Sequence, residues 1–188
     1  MKRSRHVALT LLGAAAFGLA ACQEEATEAA SFADLDSCLA AASDGGWFTE
    51  ADCKTTFAEA QVLHEETAPR YESRELCEQE HGEGACGGDS VSGGGGGFSF
   101  MPLLMGYMIG SALGGGRPVA QPVMARAGGG FTTPGGTAVS NLGGAGKMPA
   151  SAFAKAPITK GLPPMTQAQV QSRGGFGGSA APRSSSGG

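Results

Sequence analysis

The cysteines are the residues whose types and spacing could do chemistry in this chain. Cys22 stands directly after Leu19-Ala20-Ala21. A leucine, two small residues and a cysteine form the pattern of a lipobox: small residues admit a peptidase to the bond before Cys22, and the thiol accepts a diacylglycerol. The residues upstream agree. Lys2, Arg3 and Arg5 make a basic start, and Val7 to Ala20 is apolar or small apart from Thr10. That is the layout of a bacterial secretory signal, shorter than the ~20 apolar residues a membrane-spanning helix needs. The expectation is a signal peptide over 1–21, removal at Cys22 and anchoring through its acyl chains, which hold stably when there are two or more. Gln23 is not the aspartate that often signals retention in the inner membrane. This favours the outer membrane, facing the periplasm.

Cys38, Cys53, Cys77 and Cys86 remain. An even number in a small exported domain reads as two disulfides. Three pairings exist, and an internal echo favours one. Phe32 to Cys38 and Tyr71 to Cys77 both place an aromatic six residues before a cysteine, a capping residue (Asp34, Ser73) four before it and an acid two before it. Each unit meets a second cysteine beyond a glycine turn. The echo therefore suggests Cys38–Cys53 and Cys77–Cys86, with the crossed pairings still open. Cys77 and His81, one helical turn apart, and Cys86 invite a metal reading. No fourth ligand has a matching spacing, so a disulfide plus a surface histidine is expected, with no metal and no cofactor.

The elements that would position these cysteines are helical. Asp34 can cap a short helix through about Ala42, and Thr49 with Asp52 resembles a capping box. Cys53, Phe57, Ala60 and His64 then fall on one helical stripe, with Leu63 beside it. Pro69 ends that helix, and a third runs from Ser73 to Gly82. Phe32, Trp47, Phe48, Phe57 and Tyr71 supply a small core. The expected fold is thus a small all-α, disulfide-stapled head over 31–89, preceded by a lipidated linker at 22–30.

Composition changes sharply after the head. All seventeen acids lie between Gln23 and Asp89, where Lys54, Arg70 and Arg74 are the only bases, for a net charge of −14. Ser90 to Gly188 has no acid, seven bases, twenty-five Gly and nine Pro. Such a segment reads as low in complexity and too poor in apolar surface to offset its ordering entropy. A Gly linker at 90–97 and a long, mostly disordered basic tail over 114–188 are expected, the tail drawn diffusely to the acidic head.

Between them, Phe98 to Leu113 is apolar and is expected to form one short helix. It would be ~24 Å long, against a hydrocarbon core of ~30 Å. Gly106, Gly110 and Gly114 form overlapping G-x-x-x-G pairs that allow close backbone approach. Leu103, Leu104, Met108 and Ile109 lie opposite. Docking on the head or self-association, lying in a membrane surface, and spanning it all remain open. Met101, Leu103, Leu104, Gly106, Tyr107, Met108 and Gly110 are the candidate interaction residues.

Nothing in the chain reads as an enzyme. His64 reads as a helix-face residue rather than a catalytic base, since no nucleophile and orienting acid form a constellation with it. Gly146-Lys147 lacks the rest of a phosphate-cradling loop. Nucleic acid is not an expected partner, because the chain is exported.

The order of features resembles the YgiB-like bacterial lipoproteins, a family of unknown function. The resemblance rests on the lipobox, on Thr67-Ala68-Pro69-Arg70-Tyr71 followed by Cys77, and on Gly82-Glu83-Gly84 before Cys86. It also rests on Met101-Pro102-Leu103 with Gly106-Tyr107-Met108, on Arg173-Gly174-Gly175-Phe176-Gly177 and on the Gly187-Gly188 end. The resemblance implies an envelope lipoprotein and an association with an ATP-grasp ligase. Two functions follow as expectations: a structural or interaction lipoprotein, or a ligase substrate modified at the free carboxylate of Gly188.

Overall fold

The structure, a computed structural model, describes residues 26–90, 98–111 and 116–172. Cys22 and Gly188 lie outside them. The three expected helices form. α1 spans Leu35–Ser43 and α2 spans Glu50–Thr67; each opens with a capping box, Asp34 with Ser37 and Thr49 with Asp52. α3 spans Arg74–His81, capped by Ser73 and stopped at Gly82, whose φ of 99° suits glycine. The disulfides join Cys38 to Cys53 and Cys77 to Cys86. The first ties α1 to α2, and the second ties α3 to the strand after it.

The fold is nonetheless not an all-α head. Its largest element is an antiparallel sheet of six strands in the order β7-β6-β5-β4-β1-β8. β1 (Ala26–Phe32) comes from the acidic half. β4 (Leu104–Gly110), β5 (Val119–Ala125), β6 (Phe131–Thr132), β7 (Ala138–Val139) and β8 (Gly144–Pro149) come from the segment expected to be disordered or helical. β1 lies between β4 and β8, with Ala30 opposite both Ile109 and Ala145. A separate ribbon pairs β2 (Cys86–Ser90) with β3 (Phe98–Pro102). A 3-10 turn, η1 (Ala150–Phe153), and a last helix, α4 (Gln167–Ser172), complete the described chain.

The expected helix over 98–113 is therefore two strands, β3 and β4, parted at Leu103; Ala112 and Leu113 lie outside the described residues. β4 is covered on both faces. Tyr107 and Ile109 pack with Phe32, Phe48, Cys53 and Ala60 beneath α1 and α2. Met108 packs with Val123, Val139 and Ala152 on the other side. A strand buried on both faces loses the alternation that marks a half-buried one, and a short apolar run then looks the same as a core helix. Tyr107, Met108, Gly106 and Gly110 are thus core, Met101 and Leu104 are half-buried, and only Leu103 among the candidate interaction residues is exposed. Among the described residues no helix is long and apolar enough to cross a membrane.

The glycine-rich tail folds because it borrows a core. Val123 and Met124 are fully buried although the tail has few large apolar residues of its own. Pro122 sits opposite Tyr107 inside β5. It costs no ladder bond on the outer side, because β6 reaches only Met124 and Ala125. The expected diffuse attraction of tail to head is replaced by strand pairing. The charges meet at its margins, with Lys147 opposite Glu28 and Lys160 Nζ 3.7 Å from Glu65 Oε2.

Candidate functional site

α3 ends where β5 ends, and this junction gathers polar groups. The Ala127 amide donates to the carbonyl of Glu80 at 2.9 Å. Upstream, Tyr71 is held through its backbone. It exchanges two hydrogen bonds with Phe100 of β3, at 2.8 and 2.9 Å, and forms a parallel bridge to Met165. Beneath it the Cys77–Cys86 disulfide packs with Tyr71, Leu76 and Val170. Ribbon, disulfide and α4 together fix one residue, Tyr71, whose side chain is fully buried.

The Tyr71 hydroxyl stands between two buried groups. Its oxygen lies 2.5 Å from Glu80 Oε2 and 2.9 Å from His81 Nε2. His81 Nδ1 lies 2.8 Å from the carbonyl oxygen of Ala125. A carbonyl only accepts, so Nδ1 carries a hydrogen. The Tyr71 hydroxyl thus bridges a carboxyl oxygen and a ring nitrogen whose other nitrogen is fixed by a backbone carbonyl.

These groups wall a cavity of about 610 Å³. The acidic half supplies Thr67, Arg70, Tyr71, Glu80 and His81; the basic half supplies Met124, Thr133, Leu162, Met165 and Gln169. Prolines 69, 134, 157 and 163 also line it. Arg70 is buried, and its guanidinium donates to the Glu65 carbonyl at 2.8 Å and to Thr159 Oγ1 at 2.9 Å. Its charge is set against the negative C-terminal end of α2. The other carboxylate oxygen, Glu80 Oε1, is buried and accepts no hydrogen bond among the described residues.

His81 is therefore not the surface histidine expected from its spacing, since it is 4% exposed. His64 lies on the buried face of α2 with Cys53 and Ala60, as its place on their stripe implies. It is buried, and burial pushes its imidazole down to about 4, partly opposed by a hydrogen bond with the Pro102 backbone. Tyr107, in the main core, has a phenol oxygen with no hydrogen-bond partner among the described residues. Burial, and then the charge of Asp34, raise that phenol above its usual range. No group of three or more His, Cys, Asp or Glu among the described residues is arranged to hold a metal. The sequence reading missed the Tyr71–Glu80–His81 constellation. Its only local signal is that the adjacent pair Glu80-His81 closes α3, and the third member lies outside that helix.

A family model described as a protein of unknown function (DUF1190) matches residues 15–187. Two UPF0441 proteins from strains of Klebsiella pneumoniae are each 31% identical over 200 residues, covering 96% of this chain and 84% of their own. A UPF0441 protein of Pectobacterium carotovorum subsp. carotovorum is 34% identical over 122 residues, 60% of this chain; the match spans about half, 53%, of that relative's length. No solved structure matches the chain. With nearly its whole length matched, the chain belongs to the DUF1190/UPF0441 family of bacterial proteins of unknown function.

Proposed function

We propose that the chain is a lipid-anchored protein of the bacterial cell envelope whose folded body binds a small ligand in the cavity between residues 67–81 and 124–169. One observation carries the binding role: Tyr71, Glu80 and His81 are buried together on one wall of that cavity. Burying polar groups costs free energy unless they are bonded, and a core serving packing alone would use apolar residues. Convergent polar groups in a largely apolar concavity are the usual make-up of a ligand site.

The anchoring role rests on the lipobox at Cys22. Three residues separate Cys22 from Ala26, the first residue of β1, so four Cα-to-Cα steps join them. A chain of that length reaches at most ~14 Å. The sheet would then lie against the bilayer surface, with β1 as its tether, most simply on the periplasmic face of the outer membrane. Binding is favoured over covalent catalysis because all four described cysteines are in disulfides.

Native mass spectrometry of the full chain isolated from bacterial envelopes tests the binding role. The wild type should carry a small-molecule adduct that Leu162→Trp reduces, since Leu162 lines the cavity while 55% exposed and can be enlarged without disturbing the core. An adduct-free mass for the wild type would contradict it. Fatty-acid labelling tests the anchor: Cys22→Ser should lose the label, and equal labelling of both proteins would contradict lipidation.

A further inference from the structure

We propose that the cavity takes an alkyl chain, such as that of a lipid or a free fatty acid, and rejects ligands that must be held by hydrogen bonds. This deepens the binding role above by naming its ligand class, and rests on it.

The polar groups of the cavity walls are bonded within the protein. Tyr71 Oη lies against Glu80 and His81, and His81 Nδ1 against the Ala125 carbonyl. The Arg70 guanidinium donates to the Glu65 and Ala68 carbonyls and to Thr159 Oγ1. Thr159 Oγ1 donates in turn to the Ala68 carbonyl, and Thr67 Oγ1 to the Leu63 carbonyl. Thr132 Oγ1 donates to the Thr133 carbonyl, and Thr133 Oγ1 accepts from the Thr137 amide. Glu80 is 3% exposed, and its second oxygen is itself buried.

The main chain of the walls is paired in the same way. The Met165 amide donates to the Arg70 carbonyl, the Glu72 amide to the Met165 carbonyl and the Leu162 amide to the Thr159 carbonyl. Prolines 69, 134, 157 and 163 have no N–H to offer. A polar ligand would therefore give up its hydration and find few bonds in return, which is the costly direction of transfer. The buried polar groups fix the shape of the wall and leave its surface to carbon.

That carbon comes from Met124, Met165, Leu162 and the prolines. Methionine is unbranched and adapts to irregular shapes, which suits a flexible chain. An aromatic ligand fits less well. The aromatic rings of the walls are Tyr71 and His81, 0% and 4% exposed and packed edge to face with each other at 5.8 Å. Neither leaves a face open for stacking. Leu162 and Gln169, both exposed, stand at the mouth, where a chain would leave its polar end in water.

A ladder of straight-chain alcohols tests this on the full chain: 1-hexanol, 1-octanol and 1-decanol, beside sorbitol and 2-phenylethanol. Binding is followed by NMR titration of the methionine methyl groups. Affinity should rise about fourfold for each added methylene, the scale of one CH2 leaving water. The Met124 and Met165 methyls should shift, and Met108, buried in a separate cluster, should not. Sorbitol should not bind, and 2-phenylethanol should bind more weakly than 1-octanol. Leu162→Ser, at an exposed position, should weaken 1-decanol about fivefold. Affinity independent of chain length, sorbitol binding as tightly as 1-octanol, tighter binding of 2-phenylethanol, shifts at Met108 in place of Met124 and Met165, or no binding by any alcohol would each overturn the proposal. Native mass spectrometry of the chain isolated from envelopes separates the two sources, since the adduct should have the mass of a free fatty acid or of an intact lipid. A hydrophilic adduct there would overturn the alkyl class and leave the binding role standing, whereas an adduct-free mass would remove the binding role itself.

Discussion

Gly106 lies so close to Phe32 that a Cβ on it would stand 2.3 Å from the Phe32 carbonyl oxygen. The contact is backbone to backbone between β4 and the end of β1, so no rotamer change relieves it. Gly106→Ala should therefore destabilise the chain by about 2 kcal/mol or more, the upper range for overpacking a core. Gly144→Ala, with nothing within 4 Å of its would-be Cβ, serves as control and should cost far less. Equilibrium urea unfolding of both variants measures the difference.

Tyr107→Phe should hold stability or raise it by roughly 1 kcal/mol. The ring is fully buried, packing against Phe32 at 5.9 Å and Phe57 at 5.4 Å between centroids. Its hydroxyl finds no partner among the described residues. Removing a buried, unpaired polar group while keeping the shape recovers its desolvation cost. A loss of stability on thermal unfolding would mean that the hydroxyl is bonded in solution.

His64 should make stability depend on pH in a definite window. Its imidazole is held down to about 4 from 6.5, first by burial. In the folded chain it stays neutral while the unfolded chain takes up a proton through about pH 6.5. The unfolded state therefore binds more protons, and stability rises with pH. The contribution is complete above about pH 6.5, is lost as pH falls toward 4 and is level below that. The shift corresponds to about 3 kcal/mol. Urea unfolding between pH 7 and pH 4 should show this slope in the wild type and a shallower one in His64→Gln.

The disulfides should differ in what they protect. The Cys38–Cys53 link spans 15 residues and the Cys77–Cys86 link 9. Loop closure gives each about 3 kcal/mol. Only the second underlies Tyr71. Cys77→Ser with Cys86→Ser should therefore perturb the His81 ring resonances, while Cys38→Ser with Cys53→Ser should lower stability and leave His81 in place.

The helices were legible in the sequence because their signals are local. Asp34, Thr49 and Ser73 cap within three residues of themselves, and the stripe through Cys53, Ala60 and His64 is complete inside α2. The sheet was not legible, for a physical reason. β4 carries no alternation because α2 covers one face and Val123 and Val139 cover the other. Gly106 and Gly110, four apart, imitate a helix-packing motif. In fact each clears a different neighbour, the Phe32 backbone in one case and the Phe153 ring in the other. By its own apolar content the tail reads as disordered, yet β5 is stabilised by β4 and α2, which composition of the tail alone cannot register. The Tyr71–Glu80–His81 site was hidden for a related reason. Its residues are close in sequence, but what makes them a site is a cavity whose other half is supplied by residues 124–169.

That joint construction is tested most directly by amide hydrogen exchange on the full chain. If the glycine-rich half folds onto the acidic half, the amides of Tyr107, Ile109, Val123 and Met124 should be protected to the same degree as those in the middle of α2, because they would open only with global unfolding. Exchange of Val123 and Met124 at the rate of a free chain, beside a protected α2, would show that the tail does not build the cavity and would remove the site with it.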